Sequence, residues 1–599
     1  MSDFVREPVV MLEDVSFTYP GSERPVLNNV SLTLSEGDFT AVIGSNGSGK
    51  STLCKLFNGL IPHYYSGDFS GEVTVCGESS IRQGVAELSR HIGYVYQDFE
   101  NQLVRPTVLD DVSFTPLNYG CADYRERGER ALKLTGLEDC RSEFIWQLSG
   151  GQKHLLALAG ALAMDPKVLV IDEPVAQLDP QHAREIYDIL RRLNSEYGKT
   201  IVVIEHHAEF IAEYCRDVVL MDQGSVIWKR PVHEALSAVQ ELLPRGIYPP
   251  QVTLAAERLE VQATAGGLYP IRVREAADIL SAVCGGRTGI DGLAAGKEAD
   301  RAAADRVPGS DEEPLVQLAR VDLSYRTIQR TSHHVLNNIE LKLYPGESVA
   351  LVGNNGAGKS SLLKLIAGIV KSTSGEIRMR GLAAGQQSPE SLSGLVSYVF
   401  QNPEEMFIED AVRKEIAYYL KARHIPDGEQ RVERIMEAFR LQELADRDAR
   451  LLSGGQQRRV SLAIGAVIEP SIMLLDEPTA NLDISTKQEM LGVLKQLHEH
   501  VSTVVIATHD MQLVAEWASR IIVLHQGRII AEGTRDDIFS DELLLRKAGL
   551  EQTQLMRLSR ELGLGKVCCT LDDFVQEAEK LRKEAGSWKP SDAHLTVFQ

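Results

Sequence analysis

At 599 residues the chain is too long for one hydrophobic core, and its length predicts about two to four domains. Hydrophobic residues make up 43% and charged residues 25%, the balance of an ordinary soluble globular protein. The 63 Lys and Arg against 84 Asp and Glu leave a net charge of −21, which repels polyanions and argues against a nucleic-acid partner.

The eight cysteines show no C-x-x-C spacing, and only Cys568 and Cys569 are adjacent, a pattern that suits a reducing compartment. No run approaches the ~18–20 apolar residues needed to cross a bilayer. The N-terminus, M-S-D-F-V-R-E-P, lacks the apolar segment of a signal peptide. A cytoplasmic protein is expected, one that reaches a membrane only through partners.

In chain order, the first informative element is a β-prone run, Phe39 to Ile43, followed by G-S-N-G-S-G-K-S and a helix-prone run, Leu53 to Phe57. Strand, loop and helix are the context in which Gly44, Ser45, Asn46, Gly47, Ser48, Gly49, Lys50, Ser51 and Thr52 read as a phosphate-binding loop. Backbone N–H groups converge on the phosphates, glycines allow the close approach, and the helix N-terminus adds positive potential. Lys50 is expected on the β- and γ-phosphates of ATP, and the Ser51 hydroxyl on Mg2+. Next comes L-S-G-G-Q, where Ser149, Gly150, Gly151 and Gln152 open a helix and form a second phosphate-binding terminus. The apolar strand V-L-V-I then ends in Asp172 and Glu173. Asp172 suits Mg2+ binding, and Glu173 suits polarising a water for attack on the γ-phosphate.

The same series then repeats. G-N-N-G-A-G-K-S supplies Gly353, Asn354, Asn355, Gly356, Ala357, Gly358, Lys359 and Ser360, with Ser361 behind them. A second L-S-G-G-Q supplies Ser453, Gly454, Gly455 and Gln456, and a second strand ends in Asp476 and Glu477. Lys50 and Lys359 are 309 residues apart, whereas Gln97 and Gln401, Ser149 and Ser453, and Asp172 and Asp476 are each 304 apart. The difference lies in the first copy's longer loop, I-P-H-Y-Y-S-G-D-F-S. Two homologous modules are expected, at 8–245 and 314–545. Between them, 246–313 reads as a partly helical, partly flexible linker, with eight Arg and Lys against eleven Asp and Glu from Arg245 to Glu313. Residues 546–599 read as a helical extension.

Two phosphate loops, each followed by L-S-G-G-Q and a D-E-P strand end, resemble the nucleotide-binding domains of ABC transporters over about four-fifths of the chain. The resemblance implies an α/β fold of two tandem P-loop NTPase domains. Each would have a RecA-like core, an antiparallel β subdomain and a helical subdomain carrying L-S-G-G-Q. It implies intramolecular, head-to-tail pairing of the modules around two ATP molecules. One site would join Lys50, Ser51, Asp172 and Glu173 to Ser453, Gly454 and Gly455; the other would join Lys359, Ser360, Asp476 and Glu477 to Ser149, Gly150 and Gly151. Further matches imply further roles. Tyr19 and Tyr325 would stack on adenine, and Gln97 and Gln401 would be lid-loop glutamines touching Mg2+ and the attacking water. Asp179 and Asp483 would be cross-dimer aspartates, and His206 and His509 switch histidines that sense the γ-phosphate. Both sites keep their phosphate, metal and water groups, so both are expected to hydrolyse ATP.

The segments after the lid glutamines, Y-Q-D-F-E-N-Q-L-V-R-P-T-V-L-D-D-V and F-Q-N-P-E-E-M-F-I-E-D-A-V, resemble those of energy-coupling-factor ATPases. The loop N-G-L-I-P-H-Y-Y resembles their fused, two-module members, although Phe99 stands where the second copy has Pro403. This resemblance implies uptake of a vitamin, a thiamine precursor or a metal ion. It also implies a transmembrane coupling protein, a small membrane substrate-binding protein, and a peripheral position on the cytoplasmic face of the membrane. Asp98, Glu100, Gln102, Glu404 and Glu405 in the lid loops suit a partner helix bearing arginines. The alternatives are another ABC importer, such as a sugar importer, and a soluble twin-cassette ATPase acting on the ribosome. The mildly acidic linker opposes the ribosomal reading. Two complete sites oppose the sugar-importer reading, because those ATPases commonly carry one degenerate site.

Overall fold

A computed structural model of the protein describes residues 7–175, 178–262, 267–283, 313–326, 332–383, 392, 394–480 and 482–584. The 284–312 part of the expected linker and the 585–599 part of the expected extension lie outside these residues. The chain divides into two compact units between Ile279 and Leu280.

The first unit is built on a six-stranded sheet in the order Ser225–Pro231, Asp217–Asp222, Phe39–Ile43, Thr200–Ile204, Val168–Asp172, Ile92–Val95. All neighbours run parallel except the pair Ser225–Pro231 and Asp217–Asp222. The central strands are apolar throughout because both faces of the sheet are covered. Alternation nevertheless sorts their side chains. Phe39, Ala41 and Ile43 pack with the helices Gly150–Leu162 and Pro180–Ser195. Val42, Val170 and Val202 pack instead with the helix Lys50–Phe57 and with a four-stranded antiparallel sheet. That sheet has the order Leu27–Ser35, Pro8–Thr18, Asp68–Val75, Glu78–Ser79. The helices Val108–Val112 and Tyr124–Thr135 bury Val108, Val112, Ala131 and Leu132 beside Leu155 and Leu156 of Gly150–Leu162, the signature helix that L-S-G-G-Q opens, forming the helical subdomain.

The second unit repeats this architecture. Its six-stranded sheet is ordered Val396–Val399, Ile472–Asp476, Thr503–Thr508, Ser348–Val352, Arg520–His525, Arg528–Gly533. Its antiparallel sheet is ordered Ser332–Leu343, Val316–Arg326, Ser374–Met379, Leu382–Ala383. The protein is therefore an α/β molecule of two tandem P-loop domains.

Two segments flanking the cores are helical. Gln251–Arg258 buries Val252, Ala255 and Ala256, and Ile271, just before Val273–Val283, joins the first unit's helix-side core. After the second core, Ile538, Phe539, Leu545, Met556 and Cys569 pack into the same apolar cluster as the strand residues Val352, Leu475 and Ile506. Phe574, on Leu571–Glu584, is fully buried.

Strand register sets the candidate site. Val42 and Asp172 both pair with Ile204, and Val95 pairs with Ile171. The phosphate loop, Asp172, Glu173, His206 and Gln97 therefore leave the sheet at one carboxyl edge, where open α/β sheets bind ligands.

Candidate functional site

Each phosphate loop is shaped by glycine. Gly49 and Gly358, which cap the following helices, have φ of 98° and 103°, in the left-handed region that favours glycine. A Cβ on Gly44 would lie 2.5 Å from the Met221 carbonyl oxygen, and one on Gly353 would lie 2.3 Å from that of Leu524. Gly47 and Gly356 have φ of 77° and 79°, and a Cβ on either would meet open space. Lys50 Nζ donates to the carbonyl oxygens of Gly44 and Ser45 at 2.9 and 3.0 Å. Lys359 Nζ donates to those of Gly353 and Asn354 at 2.8 and 3.2 Å. Both ammonium groups are buried over their loops, where a phosphate would add a counter-charge.

The carboxylates follow from the strand ends. Asp172 and Asp476 are buried, and Ser360 Oγ donates to Asp476 Oδ1 at 3.0 Å. Tyr398 donates to the other oxygen, Oδ2, at 2.9 Å; nothing in the sequence had singled Tyr398 out. Burial pushes the carboxyls of Asp172 and Asp476 up, and the hydrogen bonds from Ser51 and Ser360 oppose it. A hydroxyl and a carboxylate are the hard oxygen donors that suit Mg2+ shared with substrate phosphates. Among the described residues no cluster of three or more His, Cys, Asp or Glu could hold a metal ion by itself.

Glu173 and Glu477 have φ of 53° and 46°, and their N–H groups donate to the carbonyl oxygens of Ile204 and Ala507 at 3.0 and 2.9 Å. A non-glycine residue held in this region marks local strain that the surrounding structure maintains. The two side chains are held differently. Glu173 accepts from Gln97 Nε2 at 2.8 Å, and His206 Nε2 lies 3.3 Å from its other oxygen. Glu477 pairs with His509 Nδ1 at 2.9 Å, accepts from Thr508 Oγ1 at 3.2 Å, and lies 3.7 Å from Lys359 Nζ. Burial pushes the Glu477 carboxyl up, but His509, Lys359 and Thr508 together hold it below the ordinary glutamate range.

In the signature segments, S-x-x-Q proves to be a capping box. Gln152 Oε1 accepts from the Ser149 N–H at 2.9 Å, and Ser149 Oγ accepts from the Gln152 N–H at 3.2 Å. Gln456 Oε1 accepts from the Ser453 N–H at 3.1 Å. The glycines divide their roles. A Cβ on Gly151 would lie 2.7 Å from the His182 ring, and one on Gly455 would lie 2.4 Å from Thr486 Cγ2. Gly150 and Gly454 face open space, so packing does not explain why they are bare. Asp179 and Asp483 cap the helices that supply His182 and Thr486.

The lid loops are tied to the signature helices. Lys153 Nζ pairs with Glu100 at 2.8 Å, and Gln457 Nε2 donates to Glu404 at 3.3 Å. His154 stacks on Phe99 with ring centroids 4.4 Å apart, and burial pushes its imidazole down to about 4. Arg458, at the position of His154 in the second copy, donates to the Phe400 carbonyl oxygen at 3.2 Å. Phe99 and His154 thus stand in the first copy at the positions of Pro403 and Arg458 in the second. Gln102, expected to face a partner, turns inward: it accepts from the Tyr96 N–H and donates to the Tyr94 carbonyl oxygen, both at 3.0 Å. The two expected adenine platforms also differ. Tyr19 packs edge-on against Phe17 and Tyr65, with its hydroxyl 3.4 Å from Thr52 Oγ1, whereas Tyr325 is exposed.

The chain matches the family described as ABC transporter at residues 27–176 and 336–480. It is 34% identical to a Methanosarcina mazei chain with the provisional name ABC transporter ATP-binding protein, over 93% of this chain and 94% of the relative. An Enterococcus faecalis protein with the same provisional name is 30% identical over 96% of this chain and its own full length. A solved Clostridium perfringens structure, cbiO1, described as part of the ABC transporter complex cbiONQ, is 32% identical. It covers 42% of this chain and 99% of its own, with a TM-score of 0.37.

Proposed function

Because the chain belongs to the ABC transporter ATP-binding proteins, we propose that its ATP hydrolysis energises a membrane importer of the energy-coupling-factor kind, for a vitamin, a thiamine precursor or a metal ion. The observation that carries this reading is the lid loop of each module. It begins at a glutamine on the catalytic edge, exposes carboxylates such as Asp98 and Glu405, and is tied to the signature helix by Glu100 or Glu404. A change at the γ-phosphate can therefore move a surface suited to arginines on a partner helix. Among the described residues no helix is long and apolar enough to cross a membrane. In this reading the bilayer is crossed by a coupling protein and a small substrate-binding protein, with the ATPase docked on the cytoplasmic face.

The two modules would close head to tail, each ATP lying between one module's phosphate loop and the other's signature helix. Lys50 and Lys359 would hold the β- and γ-phosphates, and the backbone of Gly47 and Gly356 would approach them closely. Ser51, Asp172 and Gln97, with Ser360, Asp476 and Gln401, would hold Mg2+, which supplies charge neutralisation of the phosphates when bound. Glu173 and Glu477 would take up a proton from the attacking water, steadied by His206 and His509. Open space at Gly150 and Gly454 leaves room for a γ-phosphate at the N-terminus of each signature helix.

Affinity purification of the full chain from detergent-solubilised membranes tests the transport reading. Co-purifying multi-spanning proteins support it. Recovery with ribosomal RNA and no membrane protein overturns it.

A further inference from the structure

Glu205, next to the switch histidine of the first module, is 2% exposed. One carboxylate oxygen accepts from the backbone N–H groups of both His206 and His207 at 2.8 Å, and the other accepts from the Tyr187 hydroxyl at 2.7 Å. Burying a carboxylate is costly unless it is hydrogen-bonded, and here both oxygens are engaged. Tyr187 is fully buried, stacked on Phe210 at 4.8 Å and tilted against Tyr214 at 5.0 Å. It lies on the helix Pro180–Ser195, whose cap is Asp179. A buried side-chain link thus runs from the helix behind the cross-dimer aspartate to the backbone of the switch loop.

The second module makes the same connection with other residues. Lys487, on Ile484–Gln496 behind Asp483, pairs with Asp510 at 3.1 Å. Asp510 follows the switch histidine and caps the next helix by accepting from the Gln512 and Leu513 N–H groups at 3.1 Å. Thr508, at the position of Glu205, accepts from the Asp510 N–H at 3.0 Å. Counted from the cap aspartates, Tyr187 aligns with Leu491 and Lys487 with Ala183; counted from the switch histidines, Asp510 aligns with His207. Neither module has the other's link. Packing alone gives no reason to exchange every residue of a connection and keep its two ends.

We propose that Tyr187 and Glu205 position the switch histidine His206 in the first module, as Lys487 and Asp510 position His509 in the second. Both links pass movement of the helix behind the cross-dimer aspartate to the γ-phosphate sensor. The inference rests on His206 and His509 being those sensors. Glu205 and Tyr187 act through His206 and are positioning residues.

Steady-state ATP hydrolysis by the full-length protein, with Glu477→Gln silencing the second module's site so that the first site alone is read, tests the link. Glu205→Ala lowers kcat by about tenfold to a hundredfold and leaves KM for ATP within about twofold, the pattern of a misplaced catalytic group. Glu205→Gln keeps a carbonyl oxygen for the two amides and regains most of the rate. Tyr187→Phe, which removes one oxygen from a stacked ring, loses an intermediate amount, and combined with Glu205→Ala it adds little further loss. Unchanged kcat in both single variants, scaled to folded protein, overturns the proposal, as does a change confined to KM. Should Glu205→Ala fail to fold, Tyr187→Phe decides by the same criteria. His206→Ala separates the two levels: a normal kcat there overturns the sensor assignment itself, whereas a lost kcat beside normal Glu205 and Tyr187 variants overturns only the link.

Discussion

Gln97 Nε2 donates to Glu173 Oε2 at 2.8 Å, so the lid-loop glutamine and the carboxylate assigned to the attacking water are directly joined in the first module. In the second module the equivalent Glu477 is held by His509 at 2.9 Å and by Thr508 at 3.2 Å. A histidine, His206 or His509, stands beside each carboxylate, and the two modules differ in the further group that holds it.

Glu173→Gln combined with Glu477→Gln retains ATP binding and lowers hydrolysis by about a hundredfold or more, because an amide cannot accept the water's proton. Phosphate release and retained radiolabelled ATP, measured side by side, check this. Normal turnover in the double variant refutes the assigned role.

Glu173→Gly and Glu173→Ala lose activity alike but differ in stability. With φ at 53°, glycine relieves strain that alanine keeps, and the glycine variant should be the more stable by about 1 kcal/mol. Paired thermal melts read the difference, and equal melting points count against stored strain at this residue.

Gly151→Ala and Gly150→Ala separate packing from ligand contact. The Cβ on Gly151 would overlap the His182 ring at 2.7 Å, so that variant should lose about 1–3 kcal/mol of stability. Gly150 has open space, so its alanine variant keeps the wild-type melting point and loses ATP hydrolysis. Full activity in Gly150→Ala contradicts the composite site.

His154 makes stability depend on pH. Its imidazole is held at about 4 by burial, below the ordinary 6.5, so the unfolded chain binds the proton more readily. Stability is complete above pH 6.5 and falls between 6.5 and 4, by as much as about 3 kcal/mol. His154→Phe keeps a ring against Phe99 and should remove this component. Denaturant midpoints across that range, compared between variant and wild type, show whether the slope disappears.

Much of the site was legible in the amino-acid order because its parts are short and contiguous. Gly44 to Ser51, Ser149 to Gln152 and the Asp172–Glu173 strand end each carry their chemistry within a few residues, and the repeat shows each a second time. Gln102 illustrates where that stops. Its polarity and place in the lid loop suited an outward role, yet the turn needed acceptors and donors for Tyr96 and Tyr94, and the side chain went inward. Tyr398 on Asp476, Lys153 on Glu100 and Tyr187 on Glu205 were not legible as pairs. Nothing in the spacing of residues 78, 53 or 18 positions apart marks them as partners.

The sequence by itself determined that this protein has two phosphate loops, two signature segments and two paired carboxylates, since local backbone chemistry and apolar periodicity suffice for those. Only the tertiary structure decided that Glu173 leans on Gln97 and Glu477 on His509, and that the second glycine of each pair is there for packing. Those outcomes depend on which side chains strand register and helix packing bring within reach of one another, and both are settled by burial across the whole sheet.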